Sequence, residues 1–166
     1  MISATIVYYP QLIAFGLVFT RSLTIIFQLP IFDQMPIPMM LKVLVTVLIS
    51  YAFFPGISSD VLADITFVGI DNFWLLVLFY AITGFGIGFI VKSIMHIFLT
   101  AGSIISQQMG FSSLQYFDPG AESRVGPYEI IMQWTILIFI VSSGALLPMF
   151  KGLYLSFSSI HFYSWG

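Results

Sequence analysis

Long apolar runs decide what this chain can fold into. A bilayer core about 30 Å thick takes about 20 mainly apolar residues to cross as a helix. Four stretches reach or approach that length, at about 6–29, 37–54, 72–107 and 130–147, and a weaker apolar tail follows at about 152–165. None shows the period-2 alternation of a lipid-facing β-barrel. Helices keep their backbone hydrogen bonds within the segment, which hydrocarbon demands. The expectation is an all-α protein built of hydrophobic helical hairpins. Composition agrees: of 166 residues, 59% are hydrophobic and 7% are charged, where a soluble domain has about a quarter charged. Lipid or partner subunits must therefore stand in for water over much of the surface.

The connections read as short and punctuated. A Pro-rich turn spans 28–38, and the Pro55-Gly56 pair is taken to end the second run. The stretch 55–71 then reads as an acidic loop with Asp60, Asp64 and Asp71, facing away from the cytoplasm. Pro148 is taken to end the fourth run, and 118–129 is a second polar connection. No repeat or linker divides the chain, so a single domain over 1–166 is expected.

Several functions lose support at once. A net charge of −2 with no basic cluster disfavours a nucleic-acid partner. The chain has no cysteine, so thiolate metal sites are excluded. Its two histidines, His96 and His161, lie far apart, and no nucleophile or phosphate-loop motif occurs. Neither an enzyme nor a cofactor is expected. No basic region precedes the first apolar run, so a removable signal peptide is not expected.

The unusual residues sit inside the runs. Arg21, Lys92 and His96 fall well within predicted helices. A charge at that depth faces a partner, the interface or a water-filled path. With the acids read as confined to loops, a proton pump or symporter is disfavoured. Gly84 and Gly88 in ITGFGIGF, then Gly102, Ser106 and Gly110, have the four-residue spacing that lets helices approach closely. The segment 107–127, QQMGFSSLQYFDPGAESRVGP, is apolar and aromatic without being a regular span. Irregular backbone at membrane depth is tolerated only against protein or a cavity, so it is either a surface loop or a re-entrant one.

The order of these features resembles the FliR family of type III export-gate proteins. FTRSLTIIFQLPIFDQMPIPMMLKVLVTVLISYAFFP is similar to that family's opening: an Arg in the first helix, a Pro-rich turn, then a basic residue starting the second helix. ITGFGIGF, AGSIISQQMGFS and FDPG carry the closest likeness, with Gly84, Gly88, Ala101, Gly102, Gln108, Met109, Gly110, Asp118 and Pro119 in the family's order. Tyr80 departs from it, standing where the family usually has an acid, and Ser143-Gly144-Ala145 stands in place of an Asp-Gly-His-like group. The family's last hydrophobic hairpin is expected to be missing.

The resemblance implies a subunit that joins FliP-like and FliQ-like proteins, with an FlhB-like subunit, in a helical spiral around a pore. Unfolded secretion substrates would pass through it, in the bacterial inner membrane at a flagellar basal body or injectisome base. The loop 107–127 would be a pore plug. Gln108, Met109, Gly110, Phe111, Leu114, Tyr116, Phe117, Asp118 and Pro119 would form the gate. Its Met and aromatic side chains would seal by dewetting and repack around variable cargo. Two rival readings stand beside this one. Lys92 and His96 in a broken apolar run fit a small-solute transporter or channel subunit, and a purely structural assembly factor would need no pore contact.

Overall fold

The computed structural model describes residues 2–110 and 127–163. Helices α1 (Ile2–Ile26), α2 (Pro30–Gln34), α3 (Met39–Val68), α4 (Phe73–Gln108), α5 (Pro127–Ser142) and α6 (Leu146–Ser159) follow in order, with a 3-10 turn at Ile70–Asn72 between α3 and α4. There is no strand among the described residues, as the apolar runs predict. Tyr9–Ile26, Met39–Val68 and Phe73–Gln108 are long and apolar enough to cross a membrane, and the α5–α6 pair would make a fourth span bent by 75°.

α1 is the centre of the bundle. Its buried positions Ala14, Leu17, Val18, Arg21, Ser22, Ile25 and Ile26 recur at helical spacing, and α3 and α4 both pack along it while touching each other far less. α5 packs on α4, and α6 returns to α3. Several hydroxyl groups within the spans are satisfied locally, as when Thr20 Oγ1 donates to Gly16 O at 2.8 Å and Thr46 Oγ1 to Lys42 O at 2.8 Å. That habit lets Ser and Thr sit in apolar helices at little cost.

Three sequence readings are corrected here. Pro55-Gly56 does not end the second run, because α3 continues unbroken to Val68. In an apolar setting the helix is the backbone's cheapest state, so proline is tolerated within it. Gly56 gives Tyr154 of α6 room, since a Cβ there would lie 2.5 Å from the Tyr154 hydroxyl. The acidic loop is mostly helix, and Asp60 and Asp64 belong to α3; its sidedness argument therefore falls. Pro148 does not end the fourth run but lies in the first turn of α6, where its missing N–H costs nothing. The break comes earlier, at Gly144, whose φ is +71°. Gly144 N–H donates to Val141 O and Ala145 N–H to Ile140 O, the bond pair of a Schellman cap.

Candidate functional site

The bundle carries a buried polar hub. Arg21 of α1 is fully buried. Its Nη1 donates to Ser156 O at 2.9 Å and its Nη2 to Ile160 O at 3.2 Å, so a cation from the first helix caps the carbonyl end of the last. The guanidinium also lies 4.2 Å from the Tyr80 ring centroid and 4.9 Å from that of Phe157, within cation–π range. The Tyr80 hydroxyl donates to Asp64 Oδ2 at 2.8 Å, and Tyr163 N–H donates to Asp64 Oδ1 at 3.1 Å. Asp64 is fully buried too. Charge and counter-charge are thus joined through one tyrosine, and four helices meet at the hub.

This overturns the reading that acids are confined to loops, and with it the argument drawn against proton-coupled transport. Tyr80, where the resemblance led to the expectation of an acid, instead hydrogen-bonds to an acid on α3. Asp64 was legible in principle. Ile57, Val61, Asp64 and Ile65 form the buried stripe of α3, at the spacing of an amphipathic helix, but assigning 55–71 to a loop hid that periodicity.

Gly84 faces α1, and Gly88 faces Gln28 just beyond its end. A Cβ at Gly84 would run into Thr24 Oγ1 and lie 2.8 Å from Arg21 O. At Gly88 it would lie 2.7 Å from Gln28 Nε2, which donates to Thr24 O at 3.0 Å and to Phe85 O at 3.2 Å. Gly86 has open space instead. Gly102 and Ser106 continue the buried face of α4, and the Ser106 hydroxyl has no hydrogen-bond partner among the described residues.

Lys92 is not isolated. Its Nζ meets Asp33 Oδ1 of α2 at 2.9 Å, with both side chains partly exposed. His96, one turn on, is exposed. At the end of α4, Gln107, Gln108, Met109 and Gly110 are all exposed, and Gly110 has a φ of +78°. The other gate residues named above, Phe111, Leu114, Tyr116, Phe117, Asp118 and Pro119, lie outside the described residues. No group of three or more His, Asp or Glu side chains placed to hold a metal occurs among the described residues.

The described helices leave large side chains bare, among them Met40 at 86%, Trp74 at 79% and Tyr51 at 74% exposure. Faces this apolar mark lipid or subunit contacts. Such a fold defines the chain as a helical membrane protein that covers only part of its own surface. The model of bacterial export proteins, family 1, matches residues 12–165, and the chain belongs to that family. It is 28% identical over 127 residues to the flagellar biosynthetic protein FliR of Escherichia coli (strain K12), a stretch covering 76% of this chain and 47% of that protein. The chain thus spans about half the length of that curated relative. No solved structure matches.

Proposed function

We propose that this chain is a subunit of a type III export gate of the flagellar type. It would assemble with FliP-like and FliQ-like subunits, and an FlhB-like one, around a path for unfolded proteins in the inner membrane. Family membership supports the export role. The supporting structural observation is the length and bareness of α4. Its 36 residues extend about 54 Å at 1.5 Å per residue, far beyond the roughly 30 Å that hydrocarbon covers. Trp74, Ile82, Phe89 and Ile97 remain more than half exposed along it. A bare apolar helix of that length supports cover by neighbouring protein as well as lipid.

In this reading the 107–127 segment obstructs the path at rest and is displaced by substrate. Co-expression and purification test the assembly: two other hydrophobic proteins should accompany the chain in a fixed ratio. Deleting 111–117 should raise ion leak through the assembled complex. Unchanged conductance would remove the plug role, and purification of the chain alone as a solute transporter would remove the gate.

A further inference from the structure

The half of α4 that leads to Gly110 carries polar side chains on one exposed edge. Lys92, His96, Thr100, Ser103 and Gln107 follow at intervals of four, four, three and four residues. At 100° per residue they fall within about 80° of arc. His96, Thr100 and Gln107 are exposed, and Lys92 and Ser103 partly so. The buried face, Met95, Leu99, Gly102 and Ser106, points elsewhere, and Ile90 and Ile94 are bare on the outward side at 63% and 54%. Toward the helix start the polar edge gives way to the stacked rings of Phe85 and Phe89, 6.1 Å apart. The polar stretch is therefore confined to the part of α4 nearest the segment assigned above to the plug.

Lipid is a poor neighbour for this edge. The Thr100 hydroxyl donates to its own helix at His96 O, and Lys92 is paired with Asp33, but the His96 ring makes no hydrogen bond among the described residues. The Gln107 amide has only a long contact from Nε2 to Ser103 Oγ at 3.5 Å, so in hydrocarbon the imidazole and most of that amide would carry the cost of unsatisfied polar groups. A groove of about 820 Å³ is lined by Lys92, His96 and Thr100 of this edge together with Gln28 and Phe85, room enough for solvent beside that part of it.

We propose that the Lys92–His96–Thr100–Ser103–Gln107 edge of α4 faces the water-filled path of the gate and is the surface along which the unfolded substrate moves. This rests on the export-gate reading and adds which face of which helix lines the path. Pairing Lys92 with Asp33 leaves the lining close to neutral, which suits a passage indifferent to the charge of its cargo.

The test is single-cysteine accessibility in membranes carrying the whole secretion complex; the chain itself has no cysteine. His96→Cys, Thr100→Cys and Gln107→Cys are compared with Ile90→Cys and Ile94→Cys. The probe is a membrane-impermeant trimethylammonium methanethiosulfonate. Variants that still secrete are scored. The polar-edge positions should react severalfold faster than the controls and be protected by a stalled substrate. Equal rates at both sets, or rates that a stalled substrate leaves unchanged, would overturn the proposal; the second outcome would place the edge in water but away from the substrate's path. Leucine at His96, Thr100 and Ser103 together provides a second arm. It should slow secretion with assembly intact, whereas lipid-facing positions would give a complex that is more stable and secretes normally. If polar-edge cysteines stay unlabelled while Met109→Cys crosslinks to the stalled substrate, the gate reading stands and this inference fails. If neither reacts, both fail.

Discussion

The Tyr80 hydroxyl donates to Asp64 Oδ2 at 2.8 Å while the face of its ring lies 4.2 Å from the Arg21 guanidinium. One side chain on α4 thus mediates between a cation on α1 and an anion on α3. Neither charge reaches water, for both residues are fully buried. Breaking a buried pair by removing one partner leaves the other uncompensated and costs about 3–5 kcal/mol. Arg21→Met and Asp64→Leu should each lose stability on that scale. Tyr80→Phe keeps the ring under Arg21 but removes a hydrogen bond to a charged group, worth about 1.5–3 kcal/mol. The double variant Arg21→Met/Asp64→Leu should lose clearly less than the sum of the singles, because residues in one network are not additive. Unfolding of the purified protein in detergent measures all four, and strict additivity would show that Arg21 acts only as a helix cap.

Close approach at Gly84 predicts a different pattern. A Cβ there meets backbone, Arg21 O at 2.8 Å, which does not swing aside as a flexible side chain would. Gly84→Ala should force α1 and α4 apart and cost about 1–3 kcal/mol, the usual range for overpacking. Gly86→Ala meets open space and removes helix-interior glycine, a gain of about 0.5–1 kcal/mol. The melting temperatures should therefore rank Gly86→Ala above the parent and Gly84→Ala below it, an order that overall hydrophobicity would not produce.

The turn from α3 into α4 depends on Gly69, whose φ of 82° and ψ of 153° lie in a region open essentially to glycine alone. Gly69→Ala should cost about 1–3 kcal/mol and loosen the junction that sets α3 against α4. Gly144, with φ +71°, sits in the milder left-handed region, where a Cβ costs about 1–2 kcal/mol. Gly144→Asn, which suits that region better than alanine, should recover much of the loss seen in Gly144→Ala. Parallel thermal scans of the three variants give the comparison, and equal tolerance at all of them would mean these turns relax.

Hydrophobic length was the feature most open to reading from residues alone. The third run, 72–107, differs from α4 (Phe73–Gln108) by one residue at each end, because a long uninterrupted apolar stretch has no other way to satisfy its backbone in lipid. Punctuation failed for the same reason. Pro55 and Pro148 look like stops by the rules of soluble helices, yet one lies inside α3 and the other in the first turn of α6. Treating Pro55 as a stop cost the reading Asp64, and with it the counter-charge of Arg21. Arg21 was visible as an oddity, but its partners Ser156 and Ile160 lie more than 130 residues away along the chain, a pairing that periodicity does not encode. Lys92 shows the intermediate case. An ion pair was one of the readings open to it, but nothing in the spacing singled out Asp33 on the short helix α2.

That pair supplies a measure of how wet the edge of α4 is. Lys92 Nζ and Asp33 Oδ1 are 2.9 Å apart, with their side chains 34% and 22% exposed. Against water such a pair contributes at most about 1 kcal/mol, and salt weakens it over a Debye length of about 8 Å at physiological ionic strength. Against lipid or dry protein, removing one partner costs about 3–5 kcal/mol. Lys92→Met in the assembled complex should therefore cost about 1 kcal/mol or less, with Lys92→Met/Asp33→Asn close to the parent. Raising the salt should shrink the difference between Lys92→Met and the parent. A loss of several kcal/mol, indifferent to salt, would put this edge of α4 out of reach of water and against the path assigned to it.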